Sequence, residues 1–333
     1  MWFYSLNPKT EDMQNAHWNK KIAVIFVFSL FWIGNAGGQN NASGQNNASG
    51  QNNASGQNRA SGQNSENNLH FLVQAEDLVG QTENNPVVFL HVSADVNNYL
   101  ENHIEGARFL DLNRIAYNGK DVMRDLPIVD SLLVAFHSVG INDGDRVILY
   151  GDSNGMSATR AFFALDYLGF TSMALLDGGL ASWTTAGGAV AKEAPTEYPK
   201  GSFHAASQSE KFVTAEEVSR RLSSSLLIDA RSEAEFTGET PGNTILRGGH
   251  IPGALSIDSA RNLQANGKLL PIDQLEAMYA DAAGEHTIVY CRTGMKASNS
   301  YFVARLLGID VSLYDGSFFD WSNLTEFPVQ KGK

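Results

Sequence analysis

The chain has 333 residues, of which 43% are hydrophobic and 18% charged, and its formal net charge is −12. That length suits about two domains, and the acidic balance excludes a protein that grips nucleic acid through a clustered excess of Lys and Arg. A single cysteine, Cys291, rules out an intramolecular disulfide and any metal centre built on two or more thiolates.

Lys20 and Lys21 precede an apolar run over residues 22–33, followed by Gly34 and Ala36. A basic segment, a short apolar core and a small-x-small exit make residues 1–36 a secretory signal peptide, and the run is shorter than a membrane span needs, while the long segment before it leaves an uncleaved anchor as the alternative. No cysteine follows it, so lipoprotein anchoring is excluded. The expectation is an exported protein, periplasmic or secreted, without stable membrane insertion once the signal is removed. Residues 37–66 repeat the unit Gly-Gln-Asn-Asn-Ala-Ser, with Arg59 replacing one Asn. Such a tract has no side chains with which to build a core, and it reads as a flexible spacer. Its Asn-Ala-Ser sequons at Asn41, Asn47 and Asn53 matter only where secreted proteins are glycosylated.

Beyond the spacer the chain reads as α/β, and it does so twice. Apolar runs at 87–90 and 226–228 are each followed by His-Ile-x-Gly-Ala, at His103 and His250. Strand-like runs ending in Tyr150 and Tyr290 come next, then helical patterns closed by Gly169 and Gly308 in the position glycine favours past a helix end. Further short strands lead into Asp-Gly-x-x-x-x-Trp, ending at Trp183 and Trp321. Short strands alternating with helical segments predict parallel sheets flanked by crossover helices. The expected domains are 67–190 and 208–333, joined by a linker over 191–207. Gly106 and Gly253 suit turns, the two tryptophans suit the core, and His103 and His250 suit the fixing of loops.

Cys291 stands directly after the strand 287–290, ahead of Arg292, Thr293, Gly294, Met295 and Lys296, with a helix expected from Ala297 or Ser298. A strand, a short glycine-containing loop and a helix N-terminus favour anions, and a cysteine at the mouth of such a loop is favoured as thiolate. The corresponding loop of the first copy, residues 151–157, has no cysteine and no cation, and it carries Asp152. The first copy is therefore expected to be catalytically inactive.

The doubled domain, the His-Ile-Pro-Gly-Ala turn at His250, the Val-Tyr-Cys-Arg-Thr-Gly run at Cys291 and the Tyr-Asp-Gly-Ser run at Tyr314 resemble the tandem rhodanese family. Those are the thiosulfate and 3-mercaptopyruvate sulfurtransferases, and the resemblance covers about residues 70–330. It implies that the Cys291 thiolate takes the outer sulfur of a small anionic donor as a persulfide, with no cofactor and no metal. A thiol or cyanide acceptor then removes that sulfur. Arg292, Lys296 and Arg231 are expected to bind the anionic part of the donor, with Thr293, Gly294 and Met295 completing the loop. Arg231 could instead pair with Glu233 or Glu235. The protein is expected to be a monomer.

The loop departs from the family patterns. Thiosulfate-type members resemble Cys-Arg-Lys-Gly-Val-Thr, and mercaptopyruvate-type members resemble Cys-Gly-Ser-Gly-Val-Thr. Here Thr293 replaces the lysine and Lys296 takes the final place, so positive charge is kept but moved. Thiosulfate is the favoured donor. A cysteine phosphatase or arsenate reductase needs Arg six positions after the cysteine, where Ala297 stands. A non-enzymatic persulfide carrier for an envelope partner is the alternative that sequence leaves open. The eight histidines show no metal-ligand spacing.

Overall fold

The short apolar runs become strands, and their order in space repeats as it does in sequence. The computed structural model of the protein describes residues 68–80, 87–117, 125–151 and 155–332. The expected signal peptide and spacer lie outside the described residues, as do Asp152 and its two successors. Among the described residues no helix is long and apolar enough to cross a membrane.

The first half contains β1 (Leu72–Val73), β2 (Val87–Ser93), β3 (His103–Ile104), β4 (Arg108–Asp111), β5 (Arg146–Gly151), β6 (Met173–Leu176) and β7 (Val190–Ala191). The second contains β8 (Phe212–Val213), β9 (Leu226–Asp229), β10 (Leu255–Ser256), β11 (Thr287–Tyr290) and β12 (Val311–Tyr314). One sheet runs β1-β6-β5-β2-β4 and the other β10-β9-β11-β12-β8. Read from its opposite edge, the second order is the first, strand for strand. Both five-stranded sheets are parallel throughout, and β3 pairs antiparallel with β7 at the side. The middle strand β11 is buried along its whole length, because a parallel sheet with helices on both faces leaves neither side to solvent. Its Ile288 is registered between Leu227 and Ser312.

The paired landmarks have paired causes. Tyr150 and Tyr290 close their strands, and the Oη of each accepts the N–H of the isoleucine in His-Ile-x-Gly-Ala, at 3.1 Å from Ile104 and 3.1 Å from Ile251. His103 Nδ1 meets the Tyr99 carbonyl at 2.8 Å and His250 Nδ1 the Phe236 carbonyl at 2.9 Å. Each imidazole also stacks on the ring of that same residue at 3.6 Å. Both histidines are therefore loop-fixing groups. Gly106 and Gly253 have φ of +75° and +82°, which the turn requires and a side chain resists. Trp183 and Trp321 are buried, and each donates its indole N–H to a carbonyl, that of Ala189 or Pro328.

The two halves share one core. The helix Met156–Tyr167 follows β5 and the helix Met295–Leu306 follows β11, and both are buried on nearly every face. They pack on each other through Phe162 against Phe302 at 4.8 Å and Phe163 against Tyr301 at 4.9 Å. The residues between the halves are tied down as well. Gly201 N–H donates to the His137 carbonyl at 2.8 Å, Ser202 N–H to that of Ile141 at 3.0 Å, and Phe203 is buried. The expected linker is thus a strap laid on the first half.

Polar contacts cross the same seam in matched pairs. Asp177 of the first half accepts Leu269 N–H of the second at 2.8 Å, and Asp315 of the second accepts Leu126 N–H of the first. Arg160 forms a two-pronged, fully buried ion pair with Asp315. Beside them, Asp125 is pushed up to about 6 by burial and by the Asp315 carboxylate, against the pull of Arg160. An unfolded aspartate ionises near 4, so the native state holds the proton more tightly and loses stability as pH rises from about 4 to 6. Asp125→Asn is therefore expected to raise the melting temperature by a few degrees at pH 7 and by less at pH 4.5. An equal shift at both pH values would show that the Asp125 charge costs nothing.

Candidate active site

Cys291 is the first residue past β11, and the helix Met295–Leu306 begins four residues later. The helix starts two or three residues earlier than expected, because Gly294 adopts φ +80° and turns the chain straight into it. Met295 and Lys296 are consequently in the first helical turn. A side chain on Gly294 would collide with the Asp315 carboxylate, and its Cβ would lie 3.1 Å from the Asp315 carbonyl oxygen.

The loop is clamped from one side by Ser317. Its Oγ accepts the N–H groups of Cys291 and of Gly294, both at 3.1 Å, and donates to the Tyr314 carbonyl at 2.8 Å. The neighbouring N–H groups of Phe318 and Phe319 donate to the carbonyls of Cys291 and Arg292 at 3.0 Å each. No carbonyl or side chain among the described residues accepts from the N–H groups of Arg292, Thr293, Met295, Lys296 or Ala297. Free donors and a helix N-terminus next to a sulfur suit a bound anion. The Cys291 and Gly294 donors are spent on Ser317.

Sequence reasoning assigned Ser317 no part. It is the non-glycine residue with positive φ among the described residues, at +54°. Its counterpart in the first copy, Gly179, has φ +56°. The third position of Asp-Gly-x has positive φ in both copies, as glycine in the copy lacking a cysteine and as a strained serine in the other, while the residue before it differs, with φ +73° at Gly178 and −57° at Gly316. Strain retained at one copy alone marks a functional demand. Ser317→Gly removes the strain and the clamp together. It is expected to leave the melting temperature within a few degrees while lowering sulfur-transfer kcat/KM about tenfold or more. Full activity would show the clamp to be idle.

The cations are placed differently from one another. Arg292 and Lys296 are partly exposed, their side chains 42% and 38% accessible, and both reach Glu235. Arg292 donates through Nε at 3.0 Å and through Nη2 to Glu235 Oε1, and Lys296 lies 3.4 Å from Oε2. Burial pushes the Glu235 carboxyl up, but Arg292 and Lys296 outweigh this and hold it below its ordinary value. Glu235 is also the third helical residue after the Ser232 cap and closes a capping box, accepting Ser232 Oγ–H at 3.0 Å. The Ser-x-x-Glu spacing was the available sequence signal for that box.

Arg231 is corrected. It is wholly buried, with Nε 2.9 Å from Asp229 Oδ1, Nη2 2.7 Å from the Gly249 carbonyl, and its guanidinium 4.1 Å over the Phe318 ring. It pairs with Asp229, two residues away, and not with Glu233 or Glu235. It therefore presents no accessible charge to a donor at the loop mouth. It braces the end of β9 and the ring that follows Ser317.

A cavity of about 750 Å³ lies elsewhere, at the strand ends of the first copy, lined by Gly151, Gly155, Gly178, Gly179 and Asn299 among others. None of its lining residues is a lysine, an arginine or a cysteine. Its size carries less weight than the chemistry around Cys291, because a sulfur nucleophile cannot be supplied there. Among the described residues no group of three His, Cys, Asp or Glu side chains could hold a metal ion.

The Rhodanese-like domain model matches the chain twice, over residues 74–186 and 214–324. This chain belongs to the rhodanese family. Among its relatives, a putative thiosulfate sulfurtransferase of Haloferax volcanii is 33% identical over 73% of this chain and 88% of its own length. The 3-mercaptopyruvate sulfurtransferase of Escherichia coli is 32% identical over 71% and 85%. The sulfur carrier protein TtuD of Thermus thermophilus is 31% identical over 79% and 97%. Among solved structures, the anaerobic ergothioneine biosynthesis enzyme from Chlorobium limicola, in complex with trimethyl histidine, superposes with a TM-score of 0.70. It is 28% identical, over 79% of this chain and 71% of its own. With two rhodanese domains in tandem, the protein is a sulfurtransferase of the rhodanese type.

Proposed function

We propose that this rhodanese moves the outer sulfur of a small anionic donor, thiosulfate in preference to 3-mercaptopyruvate, through a persulfide on Cys291. The single observation that carries the reading is a cysteine at the end of a parallel strand. Unpaired N–H groups follow it, and two partly exposed cations stand on the next residue and in the first turn of the helix that follows. The Cys291 thiolate attacks the outer sulfur of thiosulfate, the sulfur–sulfur bond of the donor breaks, and sulfite leaves with the bonding pair. The negative charge now sits on the outer persulfide sulfur, where the free N–H groups of the loop and the helix N-terminus stabilise it. Cyanide or a thiolate then attacks that outer sulfur and restores the Cys291 thiolate. Arg292 and Lys296 bind the oxyanion end of the donor, and Thr293, Gly294 and Met295 supply the backbone that shapes the loop. No cofactor or metal enters the cycle.

The test is intact mass of the purified protein before and after thiosulfate, with cyanide added last. A gain of one sulfur atom that cyanide removes supports the reading. No gain with thiosulfate or mercaptopyruvate overturns it in favour of a carrier loaded only by a partner protein. The carrier reading has one observation of its own, the Thermus relative named as a sulfur carrier. Turnover with small donor and acceptor alone separates the two. We further read residues 1–36 as the export signal of a periplasmic or secreted monomer, on the order of basic, apolar and small residues in that stretch.

A further inference from the structure

Two cations expected to meet the donor are not free to do so independently, because one buried carboxylate holds both. Glu235 is 6% accessible, and its two oxygens take one cation each: Arg292 on Oε1 and Lys296 on Oε2. The first copy shows what the site looks like without this arrangement. There the residue before the stacked aromatic is Asn98, its side chain donates to Ser93 at 3.0 Å, and its 151–157 loop carries no lysine or arginine. The carboxylate accompanies the cations.

We propose that Glu235 is the specificity-determining residue for donor charge. It holds the Arg292–Lys296–Glu235 cluster at one net positive charge, and so favours singly charged sulfane donors over doubly charged ones relative to a site with both cations released. The proposal rests on Cys291 being the sulfur-accepting group. It concerns which donors reach it, not whether it reacts. A monoanion is matched by the single net charge. A dianion such as thiosulfate must draw Arg292 or Lys296 away from Glu235, and the buried carboxylate then loses a partner. The two donor classes share the same chemistry. Thiosulfate gives up its outer sulfur and releases sulfite, while an alkanethiosulfonate gives up its outer sulfur and releases an alkanesulfinate. In both the leaving group departs with the electron pair of the broken sulfur–sulfur bond.

The experiment compares kcat/KM for thiosulfate and for methanethiosulfonate in the full chain and in Glu235→Gln. Gln keeps the shape of the side chain and an oxygen for the Ser232 hydroxyl, while the charge is lost and the oxygen that accepts from Arg292 becomes an NH2 donor, so that Arg292 is released. The expected result is a rise of about tenfold in the thiosulfate-to-methanethiosulfonate ratio, the scale of one unit charge acting on one further donor charge across a few ångströms of partly solvated site. That gain should shrink as ionic strength rises. Ser232→Ala, which loosens the cap without altering charge, should lower the melting temperature and leave the ratio where it was. An unchanged ratio in Glu235→Gln, or equal losses with both donors, would make Glu235 a cap alone and overturn the proposal. Failure of either donor to add sulfur to Cys291 in the unaltered protein would instead sink the sulfur-transfer reading itself, so the two failures are told apart.

Discussion

Cys291→Ser is expected to lower turnover with thiosulfate and cyanide by at least about 10⁴-fold, and to abolish the cyanide-removable gain of one sulfur atom. A serine hydroxyl stays protonated near neutral pH and is a poor nucleophile toward sulfur, so neither half of the transfer can proceed. The fold should be untouched. Cys291 is a small buried residue at the end of β11, and serine fills the same space with one polar atom near the unpaired loop N–H groups. The melting temperature should therefore move by only a few degrees. Transfer retained in this variant would mean that sulfur passes through a group other than the single thiol of the chain.

The second large effect is expected at Gly294. Gly294→Ala places a methyl group against the Asp315 carboxylate, in a backbone conformation that costs an L-residue about 1–2 kcal/mol. The carboxylate has nowhere to retreat, because Arg160 holds it from the other half and Leu126 N–H donates to it. Parting a buried ion pair costs roughly 3–5 kcal/mol. Some of that is recovered by local shifts, and a net loss of about 3 kcal/mol should lower the melting temperature by roughly 6–12 °C. Activity should fall by more than the stability change implies, since Gly294 N–H is one of the two groups Ser317 uses to hold the Cys291 loop. A variant with unaltered melting temperature and activity would show that the Asp315 side chain can swing clear.

The strands at 146–150, 173–176, 287–290 and 311–314 were legible because apolar runs of that length between glycines and polar turns have one physical use in an α/β chain. The repeat was legible because both copies keep the same anchors, a tyrosine at a strand end and a His-Ile-x-Gly-Ala turn that its hydroxyl holds. Cys291 stood out from its place directly after a strand and before a glycine-containing basic loop. What could not be read were contacts set by the folded path of the chain. Glu235 lies 57 residues from Arg292 in sequence. Arg231 turned to Asp229 because both side chains are enclosed at the end of β9, where a buried charge must find the nearest opposite one. The part played by Ser317 was open to discovery. Comparing Asp177-Gly178-Gly179 with Asp315-Gly316-Ser317 shows a serine in a place where its twin needed a glycine.

The pairing of Met156–Tyr167 with Met295–Leu306 has a consequence for how such a chain can evolve. Each helix buries its aromatic face against its twin, so cutting the protein between the copies would bare Phe162, Phe163, Tyr301 and Phe302 to water at once. Loss of either copy would leave that face uncovered, although only one carries the single cysteine. The copy without a cysteine has no thiol for selection to preserve at its loop but is bound by packing along its helix. Its divergence should therefore collect at the strand ends and spare the seam.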